Sequence, residues 1–189
     1  MNKFIRRITT LINICKFKIN GISFGKCLRV SGIIGLENKG TCVIGNNFRC
    51  SSGSFINPMG RNVSSCIYIE KGAKLIIGNN SGMSSAVLWC SLNIRIGNNV
   101  KIGAMSIVTD TDAHSLNPIL RANPATDAEH TKKCPVYIKD NAFIGTSCII
   151  CKGVTIGKNS IVGAGSVVTH DIPDNEIWGG NPAKFIRKI

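Results

Sequence analysis

The segment IKDNAF-IGTSCI-ICKGVT-IGKNSI-VGAGSV, residues 138–167, repeats a unit of six residues five times. Each unit begins with a large branched aliphatic residue, and Val168 continues the series. The fifth residue of each unit is small or of modest size, and glycine follows the aliphatic residue in three of the units. The aliphatic residues are Ile138, Ile144, Ile150, Ile156 and Val162, and the small ones are Ala142, Cys148, Val154, Ser160 and Ser166.

A period of six matches neither the 3.6-residue repeat of an α-helix nor the simple alternation of a half-buried strand. One unit alone cannot bury its apolar side. If three units form one coil, each aliphatic residue lies over its equivalent one coil away, about 4.8 Å along the sheet, and a narrow continuous core results. Less regular copies of the period occur earlier, and they are Ile44-Cys50-Ile56, Ile77-Met83-Trp89 and Ile96-Ile102-Val108.

This motif, with its aliphatic-glycine pairs, resembles the repeat of the hexapeptide-repeat acyltransferases. The resemblance implies an all-β fold, a triangular left-handed parallel β-helix, whose hand departs from the usual right-handed crossover rule. On this chain it predicts a short amphipathic N-terminal segment over residues 1–20 and the β-helix over residues 21–172. An extruded loop is expected at 110–135, and a basic C-terminal tail at 173–189.

The charge balance of the chain indicates an anionic partner. Its 189 residues include 23 Lys and Arg against 10 Asp and Glu, which gives a net charge of +13 and attracts polyanions. No nucleic-acid-binding module is recognisable, and basic and aromatic residues do not interleave on one element, so we expect no nucleic acid partner. A phosphate-rich small molecule such as coenzyme A fits the resemblance better.

The nine cysteines are not interpreted as a secreted disulfide framework. Charged residues interrupt residues 1–20, which therefore lack the apolar run of a signal peptide, and we expect reduced thiols in the cytoplasm. Cys148 and Cys151 form a CxxC pair, but they occupy repeat positions. Neither a second pair nor a neighbouring histidine completes a metal site, so we interpret both as packing residues.

Residues 1–20 are basic and amphipathic, and their apolar residues at helical spacing predict a short helix. This helix either caps the first coil or packs on a neighbouring subunit. The alternative is a peripheral anchor on anionic lipid at the inner membrane face, which the basic side chains favour. No run reaches the ~18 apolar residues of a membrane span. The helical pattern consists of Phe4, Ile8, Leu11, Ile12 and Cys15.

The long break in the period begins with TDTDAHSLNP, residues 109–118. A loop of this length inside a compact repeat domain is usually functional. His114 is the candidate general base, because a near-neutral imidazole can take the proton of an attacking hydroxyl. In the sugar acetyltransferases that the chain resembles, a histidine before a Pro-containing stretch has this role, although the commoner His-Pro pair is His-Ser here. We expect Asp112, or alternatively Asp110, to orient the imidazole.

Residues 138–188 carry the strongest part of the resemblance and end in GNPAKFIRK at 180–188. In the family, coenzyme A lies in a groove between two subunits, along small residues and with its phosphates near basic ones. Small side chains let cofactor amides reach the backbone, and cations suit phosphates. By resemblance, the cofactor-binding residues are Phe143, Thr146, Ala164, Thr169, Lys184 and Arg187.

The resemblance therefore predicts a homotrimeric acetyl-CoA-dependent O-acetyltransferase that acts on a sugar hydroxyl of a polysaccharide or oligosaccharide precursor. N-acetylation of an amino sugar and O-acetylation of serine are the nearest alternatives, and a non-catalytic trimeric scaffold is an alternative from another class. A zinc hydratase of the carbonic anhydrase kind would need three histidines at spacings that His114, His130 and His170 do not match. We predict no metal site.

Overall fold

The computed structural model describes residues 3–53 and 56–189. The helices in these ranges are α1 (Lys3–Ile19), α2 (Pro118–Arg121) and α3 (Pro124–His130), with a 3-10 turn at Pro58–Gly60. The strands are β1 (Ser23–Phe24), β2 (Arg29–Ser31), β3 (Gly35–Asn38), β4 (Thr41–Ile44), β5 (Arg49–Ser51), β6 (Cys66–Ile69), β7 (Lys74–Ile77), β8 (Gly82–Ser84), β9 (Val87–Cys90), β10 (Asn93–Ile96), β11 (Lys101–Ile102), β12 (Ile107–Thr109), β13 (Val136–Ile138), β14 (Phe143–Ile144), β15 (Ile149–Ile150), β16 (Thr155–Ile156), β17 (Ile161–Val162), β18 (Val167–Val168), β19 (Glu176–Gly179) and β20 (Lys184–Lys188).

The strands form the three sides of a prism. Sheet A has the order β1-β4-β7-β10-β13-β16, sheet B has β2-β5-β8-β11-β14-β17-β19-β20, and sheet C has β3-β6-β9-β12-β15-β18. Consecutive strands up to β18 therefore belong to A, B and C in turn, and each strand pairs in parallel with the strand one coil later. This is the all-β left-handed parallel β-helix that the resemblance implies, built from the stacked coils that the six-residue period predicts.

The six-residue period marks the core. The five large aliphatic residues of the segment 138–167 are at most 2% exposed, and the small residues between them are buried as well. Ile144 pairs with Ile102 on one side and with Val162 on the other, so equivalent residues lie over one another. Full burial of such a side chain contributes about 1.5–3 kcal/mol, and this contribution is repeated in each coil along the prism.

Asparagines hold one row of corners between sheets A and B. Asn141 and Asn159 adopt φ of 62° and 61°, a left-handed conformation that asparagine tolerates better than most residues. Their side chains form a ladder, since Asn99 donates to Asn141 at 3.0 Å, Asn141 to Asn159 at 2.9 Å, and Asn159 to Asn175 at 2.7 Å. Each corner is therefore bonded to the next coil.

The prediction for sheet C was wrong at Trp89. Leu88 is the buried residue that pairs with Val108, whereas Trp89 points outward. Its ring packs edge to face against Tyr68 at 6.1 Å, and its indole N–H donates to Glu70 at 3.1 Å. In this coil Leu88 follows Met83 after five residues instead of six. The chain between sheets B and C is therefore one residue shorter than the period requires.

The C-terminal segment forms a hairpin rather than a tail. Strand β19 pairs with β17, which continues sheet B, and β20 returns antiparallel to β19. Trp178 packs on the last core residues and lies edge to face with Phe185 at 6.5 Å. Ala183 is buried beneath this turn. The hairpin therefore closes sheet B at the end of the prism.

Helix α1 closes the other end, which is one of the alternatives expected for residues 1–20. Four residues of the predicted apolar pattern, Ile8, Leu11, Ile12 and Cys15, are exposed, and other residues of the helix make the contact. Phe17 is fully buried in the first coil, and buried Asn13 donates to the Gly32 carbonyl and accepts from the Ile34 amide. Among the described residues, none of the helices is long and apolar enough to cross a membrane. An exposed apolar side of α1 is formed by Ile5, Ile8, Leu11 and Ile12.

Candidate active site

The loop leaves the prism at a buried carboxylate. Asp110 follows β12 at the edge between sheets C and A, and it is fully buried. Its two oxygens accept from the backbone amides of Ser91, Leu92 and Asn93 at 2.6, 2.9 and 2.6 Å. A buried carboxylate requires such donors. Asp110 therefore anchors the corner from which the loop begins.

The loop returns as a closed insertion that contains two helices. Thr111 forms an antiparallel bridge with Lys133, so the loop begins and ends at the same place. Ile96 pairs with Ile138 on the far side of the loop, whereas Ile138 pairs with Ile156 after one ordinary coil of three repeat units. The insertion thus lengthens a single coil without changing the register of the core.

Asn-Pro pairs start both loop helices. Asn117 and Asn123 are the N-caps, and their side chains accept from amides of the first turn, where proline is also favoured. Helix α3 carries Asp127 in its first turn. This position directs the carboxylate back toward the beginning of the loop.

His114 and Asp127 form a hydrogen-bonded pair. His114 Nδ1 lies 2.7 Å from Asp127 Oδ2, and the Ser115 amide donates to Asp127 Oδ1 at 2.6 Å. The hydrogen bond to His114, followed by the one from Ser115, lowers the pKa of Asp127 below its ordinary value. The carboxylate is therefore ionised at neutral pH and can only accept hydrogen bonds.

This arrangement fixes the tautomer of the imidazole. Because ionised Asp127 accepts, His114 Nδ1 carries a proton, and Nε2 of the neutral ring keeps its lone pair. The His114 side chain is 67% exposed, whereas that of Asp127 is 14% exposed. Nε2 therefore lies on a ring that is accessible to solvent, and the less exposed Asp127 carboxylate orients this ring. Arg121 donates to the Ser115 carbonyl at 2.8 Å and stabilises the same turn.

The expectation that Asp112 or Asp110 orients His114 does not match these contacts. Asp112 Oδ1 pairs with Lys152 Nζ at 2.7 Å, and Asp110 is occupied by the backbone amides described above. Asp127 was not among the residues predicted from the sequence. An acidic residue early in a helix that follows an Asn-Pro pair was a usable signal, but its direction depends on how α2 and α3 fold.

Of the six expected cofactor residues, three lie at edges of the prism and three lie on sheet B. Thr146 and Ala164 lie at the edge between sheets B and C, on successive coils, where the Thr146 carbonyl accepts from the Gly165 amide at 2.8 Å. A Cβ on Gly145 would lie 2.6 Å from the Ala164 backbone nitrogen, so the coils are too close there for a side chain. Phe143 is exposed on the outer face of sheet B.

The other three expected cofactor residues are Lys184, Arg187 and Thr169. Lys184 and Arg187 are exposed on β20, at the end of sheet B. Thr169 lies past β18, at the same C–A edge as the loop, and its hydroxyl lies 2.9 Å from His170 Nδ1. Sheet C separates the two edges, and its extended strand segments span roughly 15–20 Å.

The other histidines and the CxxC pair have local partners. His130 Nδ1 lies 2.9 Å from the Thr126 carbonyl within α3. Cys148 is buried in its repeat position, and burial raises the pKa of its thiol, as it does for Cys151. Within residues 3–53 and 56–189, no group of three or more His, Cys, Asp and Glu is arranged to hold a metal ion.

Known proteins share this architecture and sequence. A family model described as the hexapeptide repeat of succinyl-transferase matches residues 135–170. A putative acetyltransferase of Saccharomyces cerevisiae is 36% identical over 154 residues, which cover 81% of this chain and 72% of that protein. The chain belongs to the hexapeptide-repeat acetyltransferases.

Two further members extend the comparison. A galactoside O-acetyltransferase of Lactococcus lactis is 44% identical over 97 residues, which cover 51% of this chain. A hexapeptide-repeat acetyltransferase of Vibrio cholerae, solved with acetyl coenzyme A, is 33% identical with a TM-score of 0.57, covering 67% of this chain and 68% of that one. The matches to the galactoside O-acetyltransferases of L. lactis and Escherichia coli span 44% and 58% of those proteins.

Proposed function

We propose that this protein is an acetyl-CoA-dependent O-acetyltransferase that acts on a sugar hydroxyl of a polysaccharide or oligosaccharide precursor. The observation that carries the proposal is the pair of His114 and Asp127, in which the carboxylate contacts Nδ1 of an accessible imidazole ring and leaves Nε2 for the acceptor. Membership of the acetyltransferase family and the acetyl coenzyme A bound to the V. cholerae relative support the donor.

The proposed reaction is a direct transfer in a ternary complex. His114 Nε2 takes the proton of the acceptor hydroxyl as its oxygen attacks the thioester carbonyl, and Asp127 stabilises the imidazolium that forms. A backbone N–H would stabilise the tetrahedral oxyanion. The C–S bond then breaks, and the leaving thiolate receives the proton from the imidazolium, which yields coenzyme A and the acetyl ester.

The cofactor would lie along the edge between sheets B and C. Close approach of the coils at Gly145 and the small side chains of Thr146 and Ala164 leave backbone amides within reach of pantetheine. Lys184 and Arg187 are exposed cations on β20, the last strand of sheet B, where they would meet the nucleotide phosphates. Phe143, on sheet B beside this edge, would contact the same cofactor. Thr169 lies at the edge between sheets C and A and would contact a cofactor held by a neighbouring chain.

The division of these residues between two edges supports a homotrimer. The loop that carries His114 begins and ends at the edge between sheets C and A, whereas Thr146 and Ala164 lie at the edge between sheets B and C. The edge of a second chain would complete a site that uses all three. The outer face of sheet C is also apolar. Its in-register column consists of Val87, Ile107, Ile149 and Val167, of which Ile107 and Ile149 are 37% and 38% exposed. Closed symmetry would bury such a face.

The test is acetyl transfer by purified variants. With acetyl-CoA and a panel of mono- and oligosaccharides, release of free thiol identifies the acceptor, and NMR of the product gives the acetylated position. His114→Ala should lower kcat by roughly 10² to 10⁴, the usual contribution of a positioned base, with little change in the KM for acetyl-CoA. Transfer to an amino group or to serine would replace the sugar O-acetylation proposal.

The Asp127→Asn variant tests which carboxylate orients the imidazole: Asp127, which contacts His114 in the structure, or Asp112, which was expected from the sequence. The amide of the introduced asparagine can donate to Nδ1 and favour the wrong tautomer, so kcat should fall at least tenfold, whereas Asp112→Asn should have a smaller effect. Glu129→Gln, on the exposed side of the same helix, is the matched control. Unchanged kcat in both the His114 and the Asp127 variants would contradict the mechanism, and no thiol release with any acceptor would favour the scaffold.

A cytoplasmic location with peripheral membrane contact through residues 1–20 belongs to the same proposal. The exposed apolar side of α1 and its basic residues support such contact. Binding to anionic vesicles measures it directly.

A further inference from the structure

A second basic site lies at the opposite end of the prism from the proposed cofactor cations. A cavity of about 590 Å³ opens between α1 and the outer face of sheet B. Among the described residues, its walls carry three arginines and no acidic side chain. The lining residues are Arg7, Thr10, Leu11, Arg29, Ser31, Arg49, Cys50 and Ser51. We refer to it as the arginine pocket.

The strand register brings two of these cations together. Arg29 on β2 pairs directly with Arg49 on β5, so the two side chains leave the same face on strands about 4.8 Å apart. Like charges directly opposite each other destabilise a sheet. Arg7 adds a third positive charge from α1, and within the described residues none of the three guanidinium groups forms an ion pair.

The floor of the pocket suits an oxyanion. Ser31 and Ser51 form a second in-register column beside the arginines, and guanidinium groups bind phosphate oxygens with paired hydrogen bonds. Glycine at position 82 lies next to Arg49 in the following strand, so no side chain crowds the arginine from that side. The size falls within the range of small-molecule sites, roughly 300–1,000 Å³.

We propose that the arginine pocket binds a phosphate group that is attached to a larger organic group. The phosphate would lie among the three guanidinium groups and offset their mutual repulsion. The organic part would contact exposed Leu11 at the pocket mouth. Two sources share this chemistry, a soluble phosphorylated compound and a lipid headgroup, because the exposed apolar side of α1 adjoins the pocket.

The site is separate from the proposed acetyl-transfer centre. It lies on sheet B in the first two coils, whereas the loop that carries His114 leaves the edge between sheets C and A two coils further along. Phe143, a proposed cofactor residue on the same sheet, is three strands from Arg49, about 14 Å at 4.8 Å per strand. The inference therefore does not depend on the proposed function, and binding can be measured without any acceptor or acetyl-CoA.

The test compares two double variants with equal loss of charge. Arg29→Gln with Arg49→Gln changes the pocket, and Lys74→Gln with Arg95→Gln changes the outer face of sheet A as the control. Calorimetry at constant ionic strength, with inorganic pyrophosphate as probe, should show binding at least tenfold weaker in the pocket variant and unchanged in the control. Circular dichroism checks that both variants fold.

Vesicles of phosphatidylglycerol in phosphatidylcholine distinguish the two sources. Loss of vesicle binding in the pocket variant alone, with competition by pyrophosphate, identifies a lipid headgroup. Vesicle binding that is absent or equal in both variants, together with pocket-dependent pyrophosphate binding, identifies a soluble phosphate compound. Equal weakening of pyrophosphate binding in both variants, or no binding at millimolar pyrophosphate, would overturn the proposal of a separate phosphate site.

Discussion

Ile149 and Ile150 provide an internal comparison of core and surface, because they are identical neighbours on one strand. Ile150 is 0% exposed and Ile149 is 38% exposed. Replacement of Ile150 by alanine removes three carbons at about 0.8 kcal/mol each, roughly 2.4 kcal/mol, and leaves a cavity, so we expect a loss of about 3–4 kcal/mol. Ile149→Ala removes the same atoms from a site that is only about 60% buried and opens no cavity, which predicts about 1.5 kcal/mol.

Thermal or denaturant unfolding of the two variants, side by side, measures this difference. A gap of about 2 kcal/mol corresponds to roughly 4–8 °C in the unfolding midpoint for a chain of this length. Any contribution of Ile149 to contacts between chains depends on protein concentration, so the comparison is repeated at high dilution, with light-scattering mass recorded. Equal losses for the two variants at high dilution would refute the assignment of the six-residue period to the core.

Three further outcomes are expected. Lys184→Gln with Arg187→Gln should raise the KM for acetyl-CoA several-fold and leave that of the acceptor unchanged; steady-state kinetics in which neither KM moves would remove both cations from the cofactor site. The hydrogen bond from the Lys158 amide lowers the pKa of Asp174 in the folded protein. The free energy that this carboxylate contributes to stability is therefore present above its unfolded pKa of about 3.9, and it is lost as the pH falls through the lower folded pKa. The unfolding midpoint of Asp174→Asn should therefore depend less on pH below about 4 than that of the Glu129→Gln control, and identical pH profiles would contradict this. Burial raises the pKa of three thiols to about 12. After treatment with iodoacetamide at pH 8, mass spectrometry should find these three thiols unlabelled and three exposed thiols labelled. The reverse labelling pattern would contradict the burial. The protected thiols are Cys42, Cys50 and Cys90, and the reactive ones are Cys15, Cys27 and Cys134.

The sequence predicted what depends on repetition and failed where one coil differs from the next. The column from Ile138 to Val162 was found because every coil there has the same length. Trp89 was placed in the core because the coil that contains it is shorter by a single position on the way into sheet C, and a fixed count of six cannot detect that change. The outward direction of Trp89 becomes clear only from its pairing with Thr109.

The same limit applies to the candidate site. His114 could be proposed because it begins the long break in the period, but its partner is distant in sequence, in a helix that lies outside the repeat. Local spacing therefore favoured Asp112, whose carboxylate pairs with Lys152 instead. The final hairpin was missed for a related reason, since the pairing of β20 with β19 is antiparallel and follows no six-residue rule.

The closed insertion after Asp110 has a consequence for how such proteins can diversify. Because Thr111 and Lys133 meet at the base of the loop, the segment between them can change in length or sequence while the coils above and below keep their alignment. Duplication or deletion of one whole coil would act differently, since it would move the loop relative to the C-terminal hairpin by a fixed step of about 4.8 Å. Under the proposed assignment of the acceptor to the loop and of the donor phosphates to the hairpin, acceptor selectivity would change continuously with the loop, whereas the distance to the donor site would change only in whole steps.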